Sequence, residues 1–330
     1  MYHDYYHWQK TTTISALGSD PDGTYTGVNN KMPAKKLLIT GSNGFLGSNL
    51  VQFFSQNKNF EIFSTSQKKS VLHDTKNFYQ GNLQDLAFVK DLFSAIKPDL
   101  VINTVSLVNV DLCEEQPSLA YDITVRTTQN IAEAAEEQSS RLIYISTDHL
   151  FDGKKSMYTE DDIPAPVNEY GRTKLLAEQK TIQANPNAAI VRTNFFGWSP
   201  KGHTQTFGEW VYTNLKEQRP ITLFTNYYFT PIEVHYLAEA IETVIGSEFF
   251  GIMNIAGSER CSKYEFGIRL AELAGFDKSI ITPQEVSANS FKAPRQPDLS
   301  LSVKKFEQYY QKQIPGLDAC LQRFLDSRNV

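Results

Sequence analysis

Leu37-Leu38-Ile39-Thr40-Gly41-Ser42-Asn43-Gly44-Phe45-Leu46-Gly47-Ser48-Asn49-Leu50 passes from a short apolar run, through three glycines, into a segment of helical periodicity. Glycines placed after a strand and at the start of a helix form a cradle for a dinucleotide pyrophosphate. Gly41 permits the tight turn, Gly44 lets backbone approach the phosphates, and Gly47 lets the helix lie close to the sheet. The helix start, with Asn43 before it and Phe45 and Leu46 in its first turn, offers free N–H groups and the positive end of the helix dipole. The spacing is G-x-x-G-x-x-G, and a strand–helix turn without a ligand would use the same glycines.

The alternation continues outward from this turn. Strands are expected at Glu61 to Ser66, Leu100 to Val105, Arg141 to Thr147 and Ala188 to Thr193. Helices are expected at Phe45 to Gln56, Leu83 to Ile96, Ser118 to Gln138 and Tyr170 to Ala184. Strand–helix repetition with few charges in the strands implies right-handed crossovers and a parallel sheet covered on both faces. The fold class is therefore α/β, a Rossmann-type doubly wound parallel sheet. After Thr193 the regularity weakens to helices at Thr206 to Gln218, Glu233 to Ile245, Ser262 to Gly275 and Leu317 to Leu325. That half reads as a smaller mixed α/β substrate lobe over the carboxyl edge of the sheet. The expected division is a leader at 1–31, a dinucleotide-binding domain at 32–193 and a substrate lobe at 194–330, with part of 230–255 returning to the first domain.

The chain has 330 residues, with 32 Lys plus Arg against 37 Asp plus Glu, a net charge of −5. A broad nucleic-acid surface needs a basic excess, so no nucleic-acid partner is expected. No run reaches the roughly 18 apolar residues of a membrane span, so no membrane partner is expected. Cys113, Cys261 and Cys320 form no C-x-x-C pair and have no His at ligand spacing. They read as packed thiols in a reducing, cytoplasmic setting, and no metal is expected. The first 31 residues show neither periodicity nor the basic and apolar segments of a secretory signal, and read as an extension or an upstream start. His3 and His7 lie there, four residues apart, without a helix signal to make them a metal pair.

Two further signals concern chemistry. An acidic residue at the end of the second strand would hold the ribose 2′-hydroxyl of NAD. Here Ser64-Thr65-Ser66-Gln67-Lys68-Lys69 has no carboxylate, and Ser66 with Lys68 suits a 2′-phosphate. NADPH is expected, with NADH as the alternative; a solvated loop would also carry these lysines. Tyr170 and Lys174 lie at i, i+4 on one helix face. A nearby ammonium is expected to lower the phenol's pKa and to hold the nicotinamide ribose, so that Tyr170 donates a proton to a ketone oxygen. The same spacing recurs at Tyr6/Lys10 and Tyr212/Lys216, but only Tyr170 begins a helix that follows a strand ending in hydroxyls, Ser146-Thr147. Thr147 would hydrogen-bond the same ketone oxygen.

The stretches LLITGSNGFLGSNL, INTVSLVNVDLCEEQPSLAY, ISTDHLFDG and APVNEYGRTKLLAEQ resemble the extended short-chain dehydrogenases/reductases, and within them the dTDP-4-dehydrorhamnose reductase family. KAPRQPDLSLS resembles the tail of that family's substrate lobe. The resemblance implies Thr147, Tyr170 and Lys174 as catalytic residues. It implies cofactor contacts at Gly41, Gly44 and Gly47, at Asn103, Thr104 and Val105, and near the adenine at Asn82 and Leu83. Asp148 and Arg295 are implied for the substrate, Arg295 for its diphosphate. The implied activity is NADPH-dependent reduction of the 4-keto group of a nucleotide-activated 6-deoxy sugar.

The chain departs from the family pattern in four places: Asn82 where the family often has Asp, Thr124 where it has Asn, His149 where it has Tyr, and the loop after Arg192. Sugar-nucleotide dehydratases carry Thr-Asp-Glu, whereas this chain has Thr147-Asp148-His149, which favours simple reduction; an epimerase or reductase of another nucleotide sugar stays open. A second reading is a non-catalytic, dinucleotide-binding regulatory subunit like that of methionine adenosyltransferase. The helices at 118–138 and 170–184 offer surfaces for a homodimer, or simply for covering the sheet.

Overall fold

Strand side chains buried on alternate faces build the layers of this computed structural model, which describes residues 33–71, 76–199, 205–287 and 291–329. The leader and its histidines, with Tyr6 and Lys10, lie outside the described residues. Leu37 and Ile39 of β1 (Lys35–Thr40) enter one apolar cluster and Leu38 enters the other. Leu100 and Ile102 of β4 (Leu100–Asn103) divide from Val101 in the same way. Period-two side chains that are apolar on both faces require cover on both sides of the sheet.

The remaining strands are β2 (Phe60–Ser66), β3 (Phe78–Gln80), β5 (Arg141–Ile145), β6 (Ala189–Arg192) and β7 (Gly251–Asn254). All seven are parallel, in the order β7-β6-β5-β4-β1-β2-β3. The order reverses between β1 and β4, where Thr40 pairs with Asn103 on one side and with Thr65 on the other. A crevice opens at such a switch point beyond the strand ends. Its walls are α1 (Phe45–Ser55), which follows β1, and the loop that follows β4.

Local chemistry moves several expected boundaries. The helix expected from Leu83 starts as α2 at Leu86 and ends at Ile96. Asn82 Oδ1 accepts from the Gln84 amide (3.1 Å) and Asp85 caps the Ala87 amide (2.9 Å), so these residues make a turn first. The single helix expected over 118–138 is three pieces: Pro117–Ala120, a π-helical turn at Tyr121–Arg126, and α3 (Thr127–Glu137). Buried Thr124 lies in the π turn, and its hydroxyl accepts from the Leu107 amide (3.1 Å) in the loop after β4. α4 (Glu169–Ala184) carries Tyr170 and Lys174.

In the second half, α5 (Phe207–Lys216) and α7 (Lys263–Ala274) begin with reciprocal caps, Thr206 with Glu209 and Ser262 with Glu265. Between them α6 (Val234–Ile245) packs on α1, and α8 (Leu317–Asp326) packs on α7. β7 also comes from this half yet joins the main sheet beside β6. Tyr212, the second Tyr of the i, i+4 pattern, is buried among Trp198, Phe276 and Phe324 and serves packing. Among the described residues, no helix is long and apolar enough to cross a membrane.

Candidate active site

The glycine turn is built from backbone. Gly41 has φ of +73°, in the left-handed region that favours glycine, and a Cβ there would sit 2.7 Å from Thr104 Oγ1. At Gly47 a Cβ would lie 2.3 Å from the Gly41 carbonyl oxygen, so helix and turn meet in direct backbone contact. Gly44 is the N-cap of α1, without a side-chain cap. The first-turn amides of Phe45, Leu46 and Gly47 therefore have no partner within the helix and form an anion-binding end. The side chains of Phe45 and Leu46 pack inward, so these residues offer only backbone to the crevice.

Neighbouring side chains hold that turn in shape. Thr104 Oγ1 donates to the Thr40 carbonyl (2.7 Å). Asn103 accepts from Thr40 (2.9 Å) and donates to Thr128 (3.2 Å), so its fully buried amide is committed to the strand ends. Asn43 Nδ2 donates to the carbonyls of Lys68 (3.2 Å) and Lys69 (2.8 Å), fastening the loop after β2 to the turn. Lys68 is exposed and, among the described residues, pairs with no carboxylate. Ser66 ends β2 beside it. Leu83 is buried, and its carbonyl accepts from Asn130 (3.1 Å), while Asn82 is exposed at the edge of the crevice.

β5 ends on the other side of β4, which brings Ser146-Thr147-Asp148 to the same edge. The start of α4 packs against this segment because residue 171 is glycine: a Cβ there would lie 2.3 Å from the His149 carbonyl oxygen. Asn168 caps α4 by accepting from the Gly171 amide (2.9 Å), and its own amide donates to the Pro294 carbonyl (2.9 Å). Tyr170, half-buried, thus meets Thr147. One turn on, Lys174 Nζ donates to the Ile145 carbonyl (2.6 Å) and lies 4.3 Å from the centre of the Tyr144 ring.

The electrostatics correct one expectation. Burial raises the Tyr170 pKa above its ordinary value; the Thr147 hydroxyl offsets part of this, and the Asp148 carboxylate adds to it. Burial also pushes the Lys174 ammonium down to about 7, with Glu178 opposing the fall. The expected lowering of the phenol by the lysine is therefore not found. Lys174 is directed at a backbone carbonyl and an aromatic face, and desolvation dominates both groups.

The other implied residues are already engaged. Thr147 Oγ1 donates to Asp148 (3.1 Å), because a carboxylate only accepts, and Asn194 donates to the second Asp148 oxygen. In this arrangement the Thr147 proton points to Asp148, where the sequence suggested a donor to a ketone. Arg295 is paired with Asp111 (2.9 Å), which neutralises the charge that the resemblance assigned to a diphosphate. His149 meets Tyr170 edge to face at 5.2 Å, and its buried Nδ1 has no partner among the described residues. Sequence reasoning missed Asn194, and it gave no attention to Lys263 at the start of α7. Lys263 stands 116 positions after Thr147 in the chain, and the Ser262–Glu265 cap marks only a helix start.

Comparison with known proteins agrees with this architecture. The model of the family described as the RmlD substrate binding domain matches residues 35–330. The chain belongs to that family. It is similar to the probable low-salt glycan biosynthesis reductase Agl14 of Haloferax volcanii, with 29% identity over 74% of this chain and 82% of that protein. It is also similar to methionine adenosyltransferase 2 subunit beta of Rattus norvegicus, with 27% identity over 76% of each. Among solved structures, a dTDP-4-dehydrorhamnose reductase of Clostridium acetobutylicum superposes with a TM-score of 0.79 and 28% identity, covering 89% of this chain and 100% of that one.

Proposed function

We propose that this member of the family is an NADPH-dependent reductase of the 4-keto group of a nucleotide-activated 6-deoxy sugar. The observation that supports the reading is Tyr170 against Thr147 at the carboxyl edge of the sheet, with Lys174 one helical turn on from Tyr170 and the glycine turn two strands away. The similarity to reductases of nucleotide sugars and glycan synthesis supports the same chemistry.

The residues fit a dinucleotide. A Cβ at Gly41 would strike Thr104 and one at Gly47 the Gly41 carbonyl, so glycine is needed to close the turn, and the first turn of α1 is left with free donors. Gly41, Gly44 and Gly47 with the amides of Phe45 and Leu46 would hold the pyrophosphate, and Ser66 with Lys68 the 2′-phosphate. Asn82, Leu83, Asn103, Thr104 and Val105 would line the remainder through backbone and shape. When bound, reduced nicotinamide supplies the hydride. Tyr170 Oη gives its proton to the ketone oxygen as that oxygen gains charge. Thr147 Oγ1 lies against the phenol and offsets part of its raised pKa, so it favours the phenolate left once the proton has passed to the ketone. Asn194 holds Asp148 so that this chain of hydrogen bonds has one orientation. The Lys174 ammonium offsets the phenolate left behind.

The test is loss of NADPH absorbance with dTDP-4-dehydrorhamnose as substrate. Turnover by the wild type, with Tyr170→Phe slowed about a hundredfold or more while NADPH still binds, is the expected result. Full turnover by Tyr170→Phe refutes the assignment. The similarity to the rat subunit favours one other reading, a regulatory partner that binds a dinucleotide without reducing a sugar. NADPH binding without turnover of any 4-keto nucleotide sugar, together with co-purification of a methionine adenosyltransferase, would establish that reading instead.

A further inference from the structure

Among the cations of the second half that stand near aromatic rings, Arg260, Lys263 and Arg295 differ in their partners. Arg295 lies 5.5 Å from the Phe291 ring centre and is neutralised by Asp111. Arg260 lies 3.5 Å from the Tyr228 ring centre and is neutralised by Asp298 (2.7 Å). Lys263 lies 3.3 Å from the Phe229 ring centre and 4.4 Å from that of Phe207. Among the described residues, its ammonium has no hydrogen-bond or ion-pair partner. An ammonium taken out of water and left against two π faces is costly, and such cations are kept where they meet an anion.

The position of Lys263 is fixed by the fold. It is the first residue of α7, just after the two-residue strand Cys261–Ser262 that pairs antiparallel with Tyr228–Phe229. That pairing sets the Phe229 ring under the amine, and the Lys263 amide donates to the Tyr227 carbonyl (3.1 Å). The fold carries this segment toward the catalytic edge: three residues past Phe229 the Ile232 amide donates to the Asn194 carbonyl (3.0 Å), and Asn194 holds Asp148. The Lys263 charge interacts with Asp148, next to Thr147, and with His149, whose ring packs on Tyr170. Burial lowers the ammonium to about 8, while Cys261 and Asp148 oppose the fall. Asp148 is not its partner, since both carboxylate oxygens are held by Thr147 and Asn194.

We propose that Lys263, held between Phe207 and Phe229, is the residue of the second half that binds a phosphoryl anion of the substrate, the role that the sequence suggested for Arg295. This rests on the reading of the substrate as a nucleotide sugar, whose diphosphate lies a few bonds from the reacting ring. The aromatic pair holds the amine in place without neutralising it, so the anion meets a desolvated, undivided charge. Arg295, divided with Asp111, fastens the segment 292–295 to the helix Val110–Glu115.

The experiment is calorimetric titration of the full chain, saturated with NADP+ so that the glycine turn is filled. The probes are dTDP, thymidine and inorganic pyrophosphate. Lys263→Met should weaken dTDP and pyrophosphate by about tenfold or more, leave thymidine unchanged, and leave NADP+ affinity unchanged as the check on folding. Lys263→Arg should recover most of the loss. Equal dTDP affinity in wild type and Lys263→Met overturns the proposal and leaves the reductase reading standing. Pyrophosphate binding that depends on Lys263, without any preference for dTDP, keeps the anion site and counts against the nucleotide sugar. Failure of the wild type to bind either anion overturns the proposal.

Discussion

Lys174→Met should make the protein more stable at neutral pH while removing its activity. The ammonium sits at about 7 in the folded chain against an ordinary 10.5, because burial disfavours the charge. Each pH unit of that difference is worth about 1.4 kcal/mol, so at pH 7 and below the buried charge costs the fold roughly 4–5 kcal/mol. The sign follows from proton binding. Between about 7 and 10.5 the unfolded lysine holds a proton that the folded one has released, so this group's contribution to stability rises with pH across the window. Below about 7 both states are charged and the penalty is constant. Methionine removes the penalty and also two contacts. The Ile145 carbonyl loses its 2.6 Å donor, which costs about 1–3 kcal/mol, and the Tyr144 face loses a cation, worth about 0.5–2 kcal/mol. With mid-range values for these losses the net gain at pH 7 is about 1 kcal/mol, and at most about 3 kcal/mol. Urea unfolding of both proteins, repeated from about pH 6 to about pH 10, measures it. The advantage of the variant should be flat to about pH 7, fall by about 1.4 kcal/mol per pH unit above that, and reverse between about pH 8 and about pH 9. Lys263, which titrates near 8, contributes equally to both proteins and cancels in the difference. A difference that stays constant across the whole range would refute the reasoning, since no proton would then be linked to the substitution.

Gly47→Ala should abolish NADPH binding, measured by quenching of intrinsic fluorescence, and lower the melting temperature. Its Cβ would lie 2.3 Å from the Gly41 carbonyl oxygen and 2.9 Å from the carbonyl carbon, and backbone cannot yield there without opening the turn. Arg192→Met should cost about 3–5 kcal/mol in chemical unfolding, because it leaves Glu178 buried and unpaired in the helix that carries Tyr170. The double variant Arg192→Met/Glu178→Met should recover most of that loss, since the paired charges gain little over an apolar pair of similar volume.

What could be read from the chain follows sequence distance. The glycine turn is legible because strand, turn and helix occupy fourteen consecutive residues and each glycine answers a local steric demand. Tyr170 and Lys174 are legible because an i, i+4 spacing fixes their common face once Asn168 starts the helix. The orientation of Lys174 was not legible. Nothing local says that its amine meets the Ile145 carbonyl 29 positions earlier and the face of Tyr144. The pairing of Arg295 was not legible for the same reason, since its partner Asp111 lies 184 positions away. The π turn at Tyr121–Arg126 leaves the apolar periodicity of its helix almost unchanged, so the pattern predicts one helix where the backbone makes three segments.

Burial acts on the site's acid and bases in opposite senses, and in each case toward the uncharged form: the phenol of Tyr170 rises while the ammonium groups of Lys174 and Lys263 fall. For the proposed reduction this ordering has a use. A phenol that stays protonated is a ready donor at any neutral pH, and it parts with its proton only when a developing negative charge on the ketone oxygen draws it off. The phenolate that results lies in the low-dielectric environment that raised the pKa, and so needs a nearby cation more than an exposed one would. Lys174, close to its own titration point, takes up a proton at that moment at little cost. Lys263 responds in the same way to a different charge, because an incoming phosphoryl anion favours its protonated form. Proton uptake on substrate binding, measured in weakly buffered solution near pH 8, should therefore disappear in Lys263→Met while persisting in Lys174→Met. Equal uptake in Lys263→Met and wild type would assign the anion to another group.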